Sequence, residues 1–166
     1  MSAIAVSERA RTAIELGESH FREFKSALEG PPGEKRKRPI KDIATNIAQT
    51  LVAFANADGG ELLVGVEDNG EVSGLPGFSE ADYASLEAAP TTRVHSSTPL
   101  PPVKLRRLSI EGKGVLYFSV PKEPPTNLPQ PCGKLKLPLS SVPLTVKYLV
   151  RAALASLSAH FSVLHA

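Results

Sequence analysis

The apolar positions Ile40, Ile43, Ala44, Ile47, Ala48, Leu51, Phe54 and Ala55 recur at helical spacing, while Thr45, Asn46 and Gln49 fall on the other side. This pattern predicts an amphipathic helix over residues 40–56. The helix exits through Asn56-Ala57-Asp58-Gly59-Gly60, where glycine relieves the steric limits on a helix end and lets the next segment pack closely. Glu61 to Asp68 follows as a strand with apolar residues on both faces, Leu62, Val64 and Val66 against Leu63, so it should be covered on both sides. Gly65 reads as a packing glycine, and Asn69-Gly70 turns the chain back antiparallel into Glu71 to Leu75.

The flanking segments follow by the same reasoning. Residues 7–16 predict a short helix capped by Ser7, with Ala10, Ala13, Ile14 and Leu16 on one side and Gly17 ending it. Phe21, Glu23 and Lys25 alternate with Arg22, Phe24 and Ser26, which predicts an extended strand. Gly30 to Pro39 carries prolines, glycines and four consecutive cations, and reads as a mobile basic loop without a regular element. Ser79-Glu80-Ala81-Asp82 has the form of a capping box opening a helix that ends near Ala89, before Pro90. Val103 to Ile110 and Gly114 to Val120, joined by Glu111-Gly112-Lys113, predict a hairpin.

Together these elements predict an α/β (α+β) fold: a mixed, largely antiparallel sheet with packed helices. The expected organisation is an N-terminal helical extension over 1–17, a core domain over 18–122, an irregular segment over 123–145, and a C-terminal helix within 146–166. From Pro121 on, Pro121, Pro124, Pro125, Pro129, Pro131, Pro138 and Pro143 break up any long element, and helical periodicity returns only from Val146 to Leu164.

Composition narrows the picture. At 166 residues the chain has room for one core domain and a short appendage. Its single cysteine, Cys132, excludes an internal disulfide framework and a multi-cysteine zinc site. His20, His95, His160 and His165 show no ligand spacing. No apolar run is long enough to span a bilayer, and the N-terminus has neither a basic start nor a secretory core, so a soluble cytoplasmic protein is expected. The formal charge of +2 is too small to argue for a polyanion partner by itself, so the placement of the cations decides.

Two motifs in fixed order carry a resemblance. Glu18-Ser19-His20-Phe21-Arg22-Glu23-Phe24-Lys25 precedes a helix ending Ala53-Phe54-Ala55-Asn56, then Gly59-Gly60 and Gly65-Val66-Glu67-Asp68. The order over roughly residues 18–122 resembles the Schlafen AlbA domain family. The resemblance implies an α/β domain that contacts DNA or structured RNA, as in transcription-regulator-like proteins. In some members it implies a metal-dependent endoribonuclease using magnesium or manganese. The family-matched acids are Glu18, Glu23 and Asp68, with Lys25 beside them as a phosphate or oxyanion contact and Glu67 as the adjacent alternative ligand. Three convergent carboxylates suit a hard divalent ion. The same acids also suit a plainer role as solvated strand-end charges, with Asp68 supporting the turn. Some relatives are classed with ATP-binding proteins, but no Gly-x-x-x-x-Gly-Lys-Ser/Thr loop is present. In the family, the region after residue 122 brings a strand bearing arginine; here Pro138 stands near that place.

Two basic sets are candidates for phosphate contact: Lys35, Arg36, Lys37, Arg38 and Lys41, and then Lys104, Arg106, Arg107 and Lys113. A shared positive face is the functional expectation, and a solubilising loop is the plainer one. Most of the six phenylalanines sit in apolar patterns that look like core, which favours shape and phosphate contact over reading of single-stranded bases. Three readings result: a nucleic-acid-binding module, a metal-dependent endoribonuclease, and a non-catalytic interaction or remnant domain that docks or self-associates through 146–164.

Overall fold

The computed structural model describes residues 3–31, 33–97 and 99–122, so the predicted segment 123–145 and helix 146–166 lie outside the described residues. In chain order the elements are α1 (Ala3–Leu16), β1 (Arg22–Lys25), β2 (Leu28–Glu29), β3 (Arg36–Lys37), α2 (Ile40–Ala55), β4 (Gly60–Val64), α3 (Glu80–Glu87), α4 (Ala89–Thr92), β5 (Lys104–Ile110) and β6 (Lys113–Val120). Four strands form one sheet in the order β1-β4-β6-β5, with β1 parallel to β4 and the other pairs antiparallel. The mixed α+β architecture read from the sequence is the one observed. Among the described residues no helix is long and apolar enough to cross a membrane.

The sheet is covered on both faces. Ile43, Ile47, Leu51 and Phe54 of α2 pack with Leu62, Val64, Leu116, Phe118 and Val120, and Leu86 of α3 and Ala89 of α4 join the same cluster. On the opposite face Val6, Ala10 and Ala13 of α1 pack with Phe24, Leu63, Val115 and Tyr117. The predicted double burial of β4 is therefore present, but Val66 lies with Leu63 rather than with Leu62 and Val64. Strand alternation would have put Val66 on the α2 face. Gly65, at φ +98°, interrupts the alternation and turns Val66 to the α1 side.

Several local expectations are corrected. α1 begins at Ala3, so Ser7 lies inside the helix and does not cap it; the buried stripe Val6-Ala10-Ala13 starts a turn earlier than the sequence suggested, and Leu16 is exposed. The basic segment is not a structureless loop, because β2 and β3 pair antiparallel and Arg38 N–H donates to Ala27 O at 3.0 Å. The turn after β4 is a three-residue loop, Asp68-Asn69-Gly70: Glu67 N–H donates to Glu71 O, and Gly70 N–H donates to Glu67 O. Only the Val66–Val72 bridge follows it, rather than a strand through Leu75. The capping box at Ser79 and Asp82 forms as expected. The helical path then continues past Pro90 as α4, since proline is tolerated in a first helical turn.

The α2-to-β4 joint is tightly packed. A Cβ on Gly60 would lie 2.5–2.7 Å from ring atoms of Phe54, which is fully buried. Gly60→Ala is expected to lower stability by about 1–3 kcal/mol through overpacking. In a Phe54→Ala background, where the ring is gone, the same substitution should cost much less. Urea unfolding of the four proteins checks this; additive effects would show that the ring contact is not the constraint.

Candidate functional site

β1 is a short edge strand. Its parallel pairing uses Phe21 O, which accepts from Glu61 N–H, and Lys25 O, which accepts from Gly65 N–H, both at 2.8 Å. The alternate amide, Phe24 N–H, points off the sheet and donates to Glu18 Oε1 at 2.9 Å. Ser19 and Arg22 exchange backbone hydrogen bonds over the same edge. The Glu-Ser motif thus closes an edge that would otherwise present unpaired backbone groups. Partial burial raises the Glu18 pKa above the ordinary carboxylate range. The Phe24 amide and the Lys25 charge oppose that shift, and the charges of Glu23 and Asp68 add to it.

Glu23 is buried, and Lys25 Nζ, two residues on along the same strand face, reaches Glu23 Oε1 at 2.5 Å. Asp68 is exposed in the loop beyond β4. Its neighbour Glu67 is more firmly held: Oε1 accepts from Ser26 Oγ at 2.7 Å, and Oε2 pairs with Lys35 Nζ at 2.8 Å. Burial would raise the Glu67 pKa, but hydrogen bonds from Lys35, Ser26 and Ser73 outweigh it and the net shift is downward. Glu18, beside the outer edge of β1, therefore sits within electrostatic reach of Glu23, Lys25 and Asp68. Among the described residues, no group of three or more His, Cys, Asp or Glu side chains is disposed to hold a metal ion. Glu18 is committed to a backbone amide and Glu23 to an ammonium, so these acids do not form a ready donor set for magnesium or manganese.

The predicted basic residues separate into different places. Lys35 is tied to Glu67, Arg36 to Glu29 at 3.7 Å, and Lys37 to Asp82 at 2.5 Å, with Lys37 also over the Phe78 ring. Arg38 donates to Ser26 O, and Lys41 is exposed in the first turn of α2. Arg107 is held by Glu80 and Glu87 and stacks over Tyr83, while Lys113 Nζ donates to Val72 O. Lys104 and Arg106 point to the α1 face of the sheet, away from Arg107. Lys35 meets the loop after β4, whereas Lys104 pairs in register with Ser119 and, through it, with Glu61 at the start of β4. Lys37 and Arg107 thus both meet α3 and the Phe78–Tyr83 ring pair, while Lys104 and Arg106 stand on the other face of the sheet.

The register also reveals residues that the sequence reading missed. Arg22, Glu61, Ser119 and Lys104 are in line across all four strands on the α1 face, and the next row is Phe24, Leu63, Tyr117 and Arg106. Glu61 is buried and takes both Arg9 Nε and Tyr117 OH on Oε1, the latter at 2.8 Å. Burial, reinforced by Glu61, pushes the Tyr117 phenol up to about 12. An acid at the head of an otherwise apolar, doubly buried strand was the available signal.

Fold and site define a small mixed-sheet domain whose charged groups collect at the two ends of one parallel strand pair. The chain matches the family model described as Schlafen, AlbA_2 over residues 18–136, and so it belongs to that family; the match runs past residue 122, where the sequence reading ended it. No curated protein matches it significantly. Among solved structures it is similar to the DIP2311 protein from Corynebacterium diphtheriae, at 15% identity and a TM-score of 0.48, covering 75% of this chain and 23% of that one. It is also similar to the N-terminal domain of a RecG-related protein from Nitrosomonas europaea, at 22% identity and a TM-score of 0.48, covering 81% of this chain and 84% of that one.

The link between hairpin and helix α3 has a pH signature. Lys37, and then the hydrogen bonds from Ser79, hold the Asp82 carboxyl down at about 2 against an ordinary 3.8. The folded pKa is the lower one, so this contribution is present above about pH 4 and is lost as pH falls through about 2. An NMR titration of the Asp82 carboxyl should show that low midpoint, and Lys37→Ala should move it upward. A midpoint near 3.8 in the parent would exclude the link.

Proposed function

We infer that this domain binds nucleic acid, DNA or structured RNA, through phosphate contacts on the α1 face of the sheet. The observation that carries the reading is the placement of Arg22, Lys104 and Arg106. They share that face, and among the described residues none of them has a carboxylate within ion-pair distance. Arg22 and Lys104 stand three strand spacings apart, about 14 Å. α1 covers the middle of this face, so a polyanion would meet Arg22 and Lys104 along its rim, where the acid of their row, Glu61, is already paired with Arg9. Membership in the family supports the same reading. The hairpin cations are secondary, because Glu67, Glu29 and Asp82 already neutralise them.

One observation favours the catalytic alternative: Glu18 feels the charges of both Glu23 and Asp68. The donor set does not fit a metal ion as it stands, so no cleavage step is assigned. A manganese arm in the binding experiment addresses it.

Fluorescence anisotropy with labelled duplex DNA and a labelled tRNA, over a series of salt concentrations, tests the inference. Affinity should fall with a log–log slope of about −2 to −3, as expected for two or three neutralised phosphates. Lys104→Ala and Arg106→Ala should each reduce that slope by about one. The reading fails if there is no binding at low salt, or if both variants keep the parent's affinity and slope.

A further inference from the structure

A cleft of about 450 Å³ opens at the head of the β1–β4 pair, lined by Arg9, Phe21, Arg22, Asp58, the Gly59-Gly60 turn, Glu61, Ser119, Val120 and Pro121. Its two arginines are anchored in the same manner. Arg9 is held through Nε by Glu61, and Arg22 is held through Nε by Gly17 O at 2.9 Å. Each is thereby oriented by its inner nitrogen, which leaves the terminal nitrogens of the fork available to an anion. The acids at the cleft are balanced, since Arg9 answers Glu61 and Lys122 pairs with Asp58 at 2.6 Å. Arg22 is left as surplus charge, with Lys104 further along the same row.

An aromatic face completes the cleft. Phe21 is 47% exposed, unlike the core phenylalanines Phe24, Phe54 and Phe118, and its backbone carbonyl is fixed by the Glu61 amide. The His20 ring packs edge-on to it at 5.2 Å between centroids. An exposed aromatic on rigid backbone beside two oriented guanidinium groups has the chemistry of a nucleotide site, with a flat apolar face for a base and a fork for its phosphate. The volume falls within the range of small-ligand pockets.

We propose that this cleft is a subsite for one unpaired nucleotide of a nucleic-acid strand, its base on Phe21 and its phosphate on Arg22 and Arg9. The proposal rests on the nucleic-acid reading above and adds what that reading lacks, a contact to a base outside a duplex. Arg22 projects to the α1 side of the sheet and Glu23 and Lys25 to the α2 side, so the subsite is separate from the acidic cluster.

The test is NMR titration of the parent and Phe21→Ala with a single-stranded pentaribonucleotide, with duplex DNA and with free nucleoside 5′-monophosphates. The amides of Phe21, Gly59, Gly60 and Ser119 should shift with the pentaribonucleotide. Phe21→Ala should weaken that binding about 5- to 100-fold, in line with the loss of one stacked base, and should leave duplex affinity within about twofold. Arg22→Gln provides a second variant that leaves the aromatic face intact, and it should weaken single-strand binding too. Absence of shifts at the cleft amides, or unchanged affinity in both variants, overturns the subsite. If duplex binding persists in that case, the nucleic-acid reading stands alone; if nothing binds, both fail. Tighter binding of a free monophosphate than of the pentaribonucleotide would overturn the assignment to a strand.

Discussion

The parallel pairing of β1 with β4 governs where the charged groups stand. Glu23 aligns with Leu62 and Arg22 with Glu61, so side chains that are adjacent in β1 are sent to opposite faces of the sheet. Glu23 and Lys25 go to the α2 side, Glu23 buried and Lys25 half-buried, and each neutralises the other. Arg22 goes to the α1 side and joins a row completed by β6 and β5. A slip of one residue would exchange these faces, sending Arg22 to the α2 side and Glu23 and Lys25 into the α1-side apolar cluster. That register is held by backbone bonds at both ends of β1, and Glu18 seals the outer edge.

Gly65 then separates the two halves of the segment it ends. By breaking the alternation it sends Val66 into the α1-side cluster and carries Glu67 to Ser26 and Lys35. A Cβ there would lie 2.9 Å from the Leu75 side chain and 3.1 Å from Gly74 backbone atoms, so close packing and backbone conformation both require glycine. The acidic cluster is therefore built from one regular strand and one irregular loop, and the basic hairpin is stapled to that loop.

Much of the fold was legible because it is written in local patterns. The α2 stripe, the double burial of β4, the β5–β6 hairpin and the Ser79 capping box each depend on residues close in sequence. What escaped depends on distant partners. The β2–β3 pair looks like a charged loop until Glu67 and the Ser26 carbonyl are placed beside Lys35 and Arg38. For the site, the Glu-Ser and Glu-Phe-Lys motif was visible through its resemblance to a family. The binding of Glu18 to a backbone amide was not, because it follows from β1 being an edge. The row Arg22–Glu61–Ser119–Lys104 requires a register across four strands that no periodicity specifies.

On the proposed nucleic-acid reading, the contrast between paired and unpaired cations favours one surface for a polyanion. Exposed ion pairs such as those of Lys35, Arg36 and Lys37 are screened by water and salt, so breaking them costs little. The larger cost comes afterwards, because Glu67, Glu29 and Asp82 would be left facing the phosphates that displaced them. Arg22, Lys104 and Arg106 carry no such penalty. Glu61, the acid in their row, is buried beneath Arg9 and Tyr117, so its charge is answered within the protein and does not oppose a phosphate at the surface. Burying that carboxylate beneath an arginine and a tyrosine therefore leaves Arg22 and Lys104 without an opposing acid in their row, in a chain whose net charge is only +2.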